Sequence, residues 1–354
     1  MLTGKRVLVT GGTGSLGRAL VRRLLTGELG DPERIVVFSR DEAKQHAMRL
    51  AFQQRRAATD EAVFASSAPL AFRIGDVTDL RSLSAAIREA DVVFHAAALK
   101  QVPTCEYAPF EAVRTNVMGA ENLVRAIREQ GLEVETVVGI TTDKACKPVN
   151  VMGMTKALQE RILARANLDA PARRGGPRTR FLTARYGNVL ASRGSVIPLF
   201  HEQIRRGGPV TVTSPEMTRF LLSLDDAVDT VFAALRAGRA GETYVPYAPA
   251  VRITDLAAAL VGDRDVPIEL TGVRPGEKIH EILVSEEEAL RTVRRGDYLA
   301  VRSVLPELRE DDAPGEALEL EEYSSHHDLL DRPGVDALLT RHRMRLEDRP
   351  EFDA

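Results

Sequence analysis

Residues 5–17 read KRVLVTGGTGSLG, and this stretch decides the fold. Lys5 to Thr10 is a short apolar run rich in β-branched residues, which predicts a strand. Glycines follow it at 11, 14 and 17, and an amphipathic segment to about Leu25 then predicts a helix. In this context such glycines let the backbone approach a pyrophosphate at the helix amino terminus. The residues expected at this dinucleotide turn are Gly11, Thr13, Gly14, Ser15, Leu16 and Gly17.

Further apolar runs repeat this alternation along the first half of the chain. They are Ile35 to Phe38, Phe72 to Asp76, Val92 to His95, Val137 to Ile140 and Phe181 to Ala184. Alternating strands and helices predict βαβ units, so the expected fold class is α/β, a Rossmann doubly wound parallel sheet. Residues 1–190 would form the NADP-binding domain, with a segment returning near 221–250. Residues 191–354 would form mainly a smaller, interleaved α+β substrate-binding lobe and a C-terminal tail.

Shorter elements are expected outside this regular pattern. Residues 43–68 are polar and favour a helix followed by a loop, and a helical pattern runs from Thr155 to about Ala166. Helices are also predicted over 198–205, 224–237 and 333–345, and a strand over 210–213. The tail after Leu305 is acidic and has no periodicity until about Tyr323.

Composition narrows the class of protein. The chain has 354 residues, 44% hydrophobic and 28% charged, with a net charge of −3. These values, together with the lack of an 18-residue apolar run or a signal-peptide layout, predict a soluble cytoplasmic protein that binds neither membrane nor nucleic acid. Cys105 and Cys146 match no disulfide framework and no zinc pattern, so no metal site is expected.

The ends of the predicted strands supply the other candidate cofactor contacts. Ser39 and Arg40 suit the 2′-phosphate of NADP, although the neighbouring Asp41 leaves NAD open. Asp76 and Val77 are plausible adenine contacts. The remaining candidates are Ala96, Ala97 and Ala98, which let the backbone approach a nucleotide, Tyr186 and Gly187 at the last strand end, and Asn116, which is otherwise a buried structural hydrogen-bonder.

Residues 141–156, TTDKACKPVNVMGMTK, lie where a predicted strand passes into a helix. Open α/β sheets place their chemistry at such strand ends. Asp143 and Lys144 are adjacent there, an acid and a base side by side. Met152 and Lys156 are four residues apart, so one helical face presents both. Alone, the stretch would be a solvated Asp-Lys turn with an ordinary surface lysine.

Taken together, these motifs resemble those of the extended short-chain dehydrogenase/reductases that modify nucleotide sugars. Within that superfamily the chain is most similar to the inverting UDP-N-acetylglucosamine 4,6-dehydratases of capsule and surface-polysaccharide type. The matching segments are TGGTGSLG (10–17), FSRDE (38–42), FHAAALKQVPTCE (94–106), TNVMGAENL (115–123), TTDKACKPVNVMGMTK (141–156), ARYGNVLASRGSVIPLF (184–200), VTSPEMTRF (212–220), RPGEK (274–278) and YSSH (323–326). The resemblance covers nearly the whole chain.

One position departs from the wider superfamily. Its YxxxK motif uses a tyrosine to take a sugar hydroxyl proton and a lysine to bind the nicotinamide ribose. Here the tyrosine position is Met152, whose thioether cannot exchange a proton, which resembles a dehydratase subgroup that carries MxxxK. Lys156 is expected to keep the cofactor-binding role.

The resemblance implies an internal redox cycle on the sugar with tightly bound NADP. Asp143 would act as acid at the C6 hydroxyl and Lys144 as base at C5, with the lysine pKa lowered by burial and by Lys156. The base for C4 oxidation stays open between Lys144, Asp143 and a water relay. Thr142 could bond the C4 oxygen. Cys105 and Glu106 are either a second acid or base pair, or structural and substrate-positioning residues.

The substrate candidates follow from the same resemblance. Arg274 would clamp the diphosphate and Glu277 would hold the uridine ribose. Arg219 is either a substrate contact or part of a surface ion pair. The other candidates are Lys100, Arg185, Asn188, Ser195, Val196 and Thr213.

Three other functions compete with this interpretation. They are a C4 epimerase, a nucleotide-sugar 5,6-dehydratase and a non-catalytic NADP-binding protein. The first needs a proton shuttle at O4, against which Met152 weighs. Relatives of the resembled type assemble as dimers or hexamers, so a homo-oligomer is expected.

Overall fold

A computed structural model describes residues 1–52, 69–173, 176–190, 195–309 and 315–348. The loop expected up to residue 68 lies mostly outside the described residues, as do positions 191–194 of the ARYGNVLASRGSVIPLF motif and positions 310–314 of the acidic tail. In the part of the chain that is described, no helix is long and apolar enough to cross a membrane.

The strands, numbered in chain order, have the following bounds. They are β1 Arg6–Thr10, β2 Arg34–Ser39, β3 Leu70–Ile74, β4 Val92–His95, β5 Thr136–Thr142, β6 Arg180–Tyr186, β7 Asn188–Val189, β8 Val210–Val212, β9 Thr218–Leu222, β10 Thr243–Pro246, β11 Ala250–Arg252, β12 Ile268–Leu270, β13 Ile282–Val284, β14 Thr292–Arg295, β15 Tyr298–Val301, β16 Glu316–Ala317 and β17 Tyr323–Ser324.

The α-helices are numbered in the same way. They are α1 Ser15–Leu25, α2 Glu42–Phe52, α3 Leu80–Ile87, α4 Val102–Tyr107, α5 Pro109–Ala112, α6 Gly119–Glu129, α7 Val151–Ala166, α8 Val196–Arg205, α9 Leu224–Ala237, α10 Ile253–Val261, α11 Glu286–Ala289 and α12 Arg332–Arg341. A π-helical turn spans Val113–Met118, and 3₁₀ turns span Asp143–Ala145, Pro306–Leu308 and Leu346–Asp348.

Strand order confirms the expected α/β class. Among the described residues ten strands form one sheet in the order β16-β14-β15-β10-β6-β5-β4-β1-β2-β3. Every pairing from β3 to β10 is parallel, and β15, β14 and β16 extend the sheet with antiparallel pairings. The order reverses between β1 and β4, and such a reversal places a crevice at the carboxyl ends of the strands.

Both faces of this sheet are covered, which explains why its central strands are continuous apolar runs. Leu20 and Leu24 of α1 and Phe232 of α9 belong to the core on one side. Leu83 of α3 and Leu123 of α6 belong to the core on the other. The parallel strands are therefore held between two helical layers, and their ends are fixed relative to one another.

The C-terminal half contributes to the sheet and also forms a separate core. β10 pairs with β6, and α9 packs on the sheet. A third cluster joins α8, β8, α10 and α12 through Phe200, Val210, Leu256 and Leu339. Three smaller sheets of the described residues have the strand orders β11-β9-β7, β12-β8 and β13-β17.

Most element boundaries agree with the sequence, and α7 is the informative exception. The sequence favoured a helix from Thr155, but α7 begins at Val151 because the Asn150 side chain accepts the Gly153 amide at 2.8 Å. This cap satisfies a donor that the first helical turn would otherwise leave without a partner. Met152 and Lys156 therefore both lie on α7.

Candidate active site

The glycine turn after β1 has the shape that a dinucleotide requires. Gly11 has φ +67°, and a Cβ there would lie 2.7–2.8 Å from backbone atoms of Ala96 and Ala97. A Cβ on Gly17 would lie 2.5 Å from the Gly12 Cα. The α1 helix begins directly after this turn, with Gly14 as its N-cap, and no side chain of the described residues caps it. Its first amide groups can therefore bind a pyrophosphate.

The other cofactor candidates on this side divide into exposed and buried groups. The Arg40 side chain is 61% exposed, and its Nη1 lies 3.3 Å from Asp76 Oδ2. The Ser39 hydroxyl accepts a hydrogen bond from Gln45 Nε2. Val77 is buried in the core, and its carbonyl accepts a bond from Asn122. Arg40 is thus the candidate that faces solvent at the end of β2.

Asn116, in the π-helical turn, uses its side chain to join two other segments. Its Oδ1 accepts the Leu99 amide at 2.8 Å, and its Nδ2 donates to the Leu99 carbonyl and to Thr155 Oγ1, each at 3.0 Å. These contacts fit the buried structural role that was the alternative to cofactor binding. They fix the loop after β4, which contains Ala96, Ala97 and Ala98, against α7.

Asp143 and Lys144 follow the carboxyl end of β5 in a 3₁₀ turn. Asp143 is fully buried. Its Oδ1 accepts bonds from Thr142 Oγ1 at 2.8 Å and from Lys144 Nζ at 3.0 Å. Its Oδ2 is also buried and has no hydrogen-bond partner among the described residues. Asp143 therefore holds a lysine with one oxygen and has the other available.

Lys144 Nζ is held by oxygen atoms from three directions. Besides Asp143, it lies 3.1 Å from Glu281 Oε1 and 3.3 Å from Asn188 Oδ1. Burial lowers the pKa of Lys144, but the charges of Asp143 and Glu281 outweigh burial and the nearby Arg219, so the pKa is raised overall. The expectation of a lowered pKa at Lys144 is wrong for this structure, because Glu281, a second carboxylate at the amine, is distant in sequence.

Lys156 has the lowered pKa instead. Its Nζ donates to the Ile140 carbonyl at 2.6 Å and to Gln159 Oε1 at 2.7 Å, both of them neutral acceptors. Burial lowers its pKa to about 8, while Glu160 opposes the shift. Burial also lowers the pKa of His95 to about 3, with a contribution from the charge of Lys156.

Met152 is buried in a small apolar cluster with Cys105 and Ala112. Burial, and secondarily Glu106, raise the pKa of the Cys105 thiol. The Glu106 carboxylate contacts the start of α7, where its Oε1 accepts the Val151 amide at 2.7 Å. Cys105 thus packs against Met152, and Glu106 stabilises the end of the helix that carries Met152.

The residues at and after the end of β6 lie beside Asp143 and Lys144. Burial raises the pKa of Tyr186. A Cβ on Gly187 would lie 2.6 Å from Phe220 Cβ and 3.4 Å from Asp143 Oδ2. A side chain at Gly187 would therefore displace one of these neighbours. Asn188, the next residue, is the one that contacts Lys144.

Two of the arginine candidates, Arg185 and Arg219, are buried, and their guanidinium groups bond protein oxygen atoms. Arg185 is buried and pairs with Glu160 and Glu288, each at 2.6 Å. Arg219 is 7% exposed and donates to the carbonyls of Thr218, Lys278 and Ile279. A surface ion pair is therefore not its environment.

The remaining substrate candidates lie in the C-terminal half of the chain, except Lys100, which lies in the loop after β4. The Arg274 side chain is 62% exposed and lies 3.8 Å from Glu277 Oε1. Glu277 Oε2 and Ser195 Oγ are buried atoms without a hydrogen-bond partner in the described structure. Val196 is the first residue of α8, Thr213 Oγ1 contacts Met217 Sδ at 3.2 Å, and Lys100 is exposed.

Sequence reasoning missed three residues at this site. Glu281 and Gln159 bind the two lysines, as described above. Gly153 lets α7 approach the turn, since a Cβ there would lie 2.1 Å from the Lys144 carbonyl oxygen. None of the three had a sequence signal of its own, although Asn150, the N-cap that accepts the Gly153 amide, is a residue type typical of helix starts. Across the described residues, no group of three or more His, Cys, Asp or Glu side chains could hold a metal ion.

Comparison with known proteins agrees with this architecture. A structure of Pen from Bacillus thuringiensis matches with a TM-score of 0.84 at 30% identity, covering 97% of this chain and 99% of that one. DesIV from Streptomyces venezuelae, described as a dTDP-glucose 4,6-dehydratase, matches with a TM-score of 0.64 at 23% identity over 77% of this chain and 86% of that one. The fold and the glycine turn define an extended short-chain dehydrogenase/reductase.

Sequence similarity then gives the family. Residues 7–303 match the family described as polysaccharide biosynthesis protein. A protein of Rickettsia bellii named UDP-glucose 4-epimerase is 44% identical over 305 residues, which cover 85% of this chain and 84% of the relative. A protein of Rickettsia canadensis with the same name is 45% identical over 306 residues, with the same coverage. The chain belongs to the polysaccharide biosynthesis protein family.

Proposed function

We propose that this chain is a nucleotide-sugar 4,6-dehydratase that acts on UDP-N-acetylglucosamine and inverts C5. The observation that carries the proposal is the Asp143–Lys144 pair at the end of β5. A carboxylate and an amine lie 3.0 Å apart, and the second carboxylate oxygen is buried and unpaired. Removal of a C5 proton and departure of the C6 hydroxyl need a base and an acid on adjacent atoms of the sugar.

Because the pKa of Lys144 is raised, the Asp143–Lys144 pair would enter the reaction with Lys144 protonated. Lys144 is an ammonium in the free protein and cannot act as a base in that form. Transfer of its proton to Asp143 along the 3.0 Å hydrogen bond would produce a neutral amine and a carboxylic acid together. These are the forms required of a base at C5 and an acid at the C6 hydroxyl.

The cofactor proposed for this site is NADP, with NAD as the alternative. When bound, it would take a hydride from C4 of the sugar and return one to C6. The glycine turn would hold the pyrophosphate, and Arg40 would bind the 2′-phosphate. Lys156, which lies buried on α7 and has a pKa near 8, would bind the nicotinamide ribose. The base at C4 stays open between Lys144, Asp143 and water, with Thr142 beside them.

The UDP group would lie toward the smaller lobe. Arg274 is exposed and always charged, which suits a diphosphate clamp, and the buried unpaired Glu277 Oε2 suits a ribose hydroxyl. Asn188, Ser195 and Val196 would complete the site. Arg185 and Arg219 are proposed to shape this region rather than to bind substrate, because their guanidinium groups already bond buried protein oxygens.

A C4 epimerase is the second candidate, because the Rickettsia relatives carry that name. An epimerase must move a proton at O4, and no side-chain hydroxyl stands at position 152. In an epimerase, Asp143 or Lys144 would then have to transfer the O4 proton without a tyrosine. The two functions differ in whether water leaves the sugar.

Incubation with UDP-N-acetylglucosamine in heavy water distinguishes them. A dehydratase product has lost the mass of one water molecule and gained one solvent deuterium, and NMR then gives the configuration at C5. An epimerase product has the substrate's mass and a new C4 signal, and UDP-glucose would be tested alongside. Lack of any reaction with both sugars would contradict both proposals.

The cofactor proposal has its own test. The exposed Arg40 would contribute one charge-assisted contact to the 2′-phosphate, so R40A should weaken NADP binding about tenfold or more and leave NAD binding nearly unchanged. Equal effects on the two cofactors, measured by calorimetry, would contradict the assignment.

A further inference from the structure

A second carboxylate, Glu281, reaches the Lys144 amine from the other side of the site. Its Oε1 lies 3.1 Å from Lys144 Nζ, and the side chain is 3% exposed. Lys278 Nζ lies 3.8 Å from its Oε2, and Arg219 Nε lies 3.9 Å from its Oε1. Oε2 forms no hydrogen bond within the described residues. Glu281 thus has one close ionic contact, and that contact is with the proposed base.

The carboxy-terminal YSSH motif holds Glu281 in this position. Ser325 Oγ accepts the Glu281 amide at 2.9 Å, and the Ser325 amide donates to the Glu281 carbonyl at 2.8 Å. Ser325 Oγ also contacts Thr218 Oγ1 at 2.7 Å, which joins the pair to β9. Both serines of the motif are buried. The backbone of Glu281 is therefore fixed independently of its side chain.

We propose that Glu281 is a positioning residue for Lys144, that it stabilises the charge which Lys144 gains on taking the C5 proton, and that the YSSH motif exists in this chain to place it. The proposal rests on the proposed function for the step it serves. The charged groups that face Lys144 are Asp143, Glu281 and Arg219, with Lys278 beyond Glu281.

The expected effect of this arrangement has a definite sign. Glu281 and Asp143 both favour the ammonium form of Lys144. Removing the charge of Glu281 leaves Asp143 as the one close carboxylate in the described site, so the pKa of Lys144 should fall by about one unit or more. The pH dependence of the base step should move to lower pH by the same amount.

The test uses E281Q, which keeps the shape of the side chain and removes its charge. Protein labelled with carbon-13 at lysine is titrated by NMR, and the Lys144 signal is assigned by its loss in K144R. E322Q is the matched control, because Glu322 pairs with a different lysine, Lys147. A shift in E281Q without a shift in E322Q supports the proposal. An unchanged Lys144 titration in folded E281Q, or an equal shift in E322Q, overturns it.

A second variant covers the case in which E281Q does not fold. S325A keeps the Glu281 carboxylate but removes the acceptor of its amide, so a smaller shift in the same direction is expected, and none would overturn the proposal. Exchange of the C5 proton with solvent should show the same displacement in pH. The lysine titration needs no substrate, so it tests Glu281 even if the wild-type protein dehydrates no sugar.

Discussion

Two lysines twelve residues apart occupy opposite electrostatic environments, at the carboxyl end of β5 and on α7. Lys144 has a 20% exposed side chain and two carboxylates at its amine. Lys156 is 6% exposed and contacts a carbonyl and an amide oxygen. The first has a raised pKa and the second a pKa lowered to about 8.

The difference teaches that the partners of a buried lysine, and not burial alone, decide whether its pKa is raised or lowered. Desolvation is the largest influence on both groups and acts in the same direction on each. The carboxylates reverse it only at Lys144. Under the proposed mechanism, the lysine that cycles its proton lies between two carboxylates, and the lysine that only donates hydrogen bonds lies among neutral oxygens.

The largest expected effect comes from breaking this contrast at Lys144. K144R keeps the positive charge and its carboxylate partners, but an arginine cannot lose its proton in proteins. We expect kcat for dehydration to fall about 10²–10⁴-fold, the usual contribution of a general base. Thermal unfolding should change little, and steady-state kinetics with the melting temperature checks both.

The matched control is K147R. Lys147 pairs with Glu286 and Glu322 and has no place in the proposed chemistry. Its replacement should leave kcat within a few-fold of wild type. If K144R retained activity within about tenfold of wild type, Lys144 would not be the base.

The next effect concerns stability as a function of pH, and it isolates Lys156. Its pKa is about 8 in the folded protein against a usual 10.5, so the unfolded chain binds more protons between these values. Wild-type stability should therefore rise relative to K156M by about 2 kcal/mol from about pH 7 to about pH 10. Lys144, whose pKa is raised, contributes with the opposite sign and only above the usual lysine pKa.

Urea unfolding of wild type and K156M at several pH values measures the difference. Gln159 Nε2 also donates to the Ile140 carbonyl, at 3.1 Å, so that acceptor keeps a partner in K156M. A difference in unfolding free energy that does not change with pH would show that Lys156 is not buried as a titrating amine.

Sequence was sufficient for the fold because the decisive signals are local. The strand before Gly11 and the alternation that follows it predicted the parallel sheet, and the strand order confirms that class. Asn150 shows the limit, because its side chain caps the helix by accepting the Gly153 amide, and α7 therefore begins four residues before the predicted start. Boundaries depend on single hydrogen bonds that periodicity does not contain.

The charge state of the site could not be predicted in the same way. Asp143 and Lys144 are adjacent in sequence, but Glu281 is 137 residues from Lys144 and reaches it only through the folding of the C-terminal segment. Similarly, the sequence left Arg219 open between a surface ion pair and a substrate contact, whereas in the structure its guanidinium group donates to three backbone carbonyls. Long-range partners of a titrating group leave no local pattern.

A smaller effect, on stability, is expected at Glu106. Its carboxylate stabilises the start of α7, the helix that carries Lys156. E106A removes the acceptor of the Val151 amide and should cost about 1 kcal/mol of stability. E106Q keeps an oxygen acceptor and should cost less. Both should retain kcat, because the carboxylate caps a helix; a large loss of kcat in E106Q with unchanged stability would instead give Glu106 a catalytic role.

The smallest effect is expected at Met152, between the two lysines. M152L conserves volume within the cluster of Cys105 and Ala112, so it should cost about 0.5 kcal/mol, inside the ~1.5 kcal/mol usual for such changes. A thioether exchanges no proton, and a leucine in its place should leave kcat within about threefold of wild type, far from the loss expected of a general base. Unfolding curves and dehydration kinetics on the same preparation measure both quantities. If kcat fell a hundredfold while stability held, the sulfur would contact the sugar or cofactor, and proton chemistry near C4 could no longer be assigned to the β5 end alone.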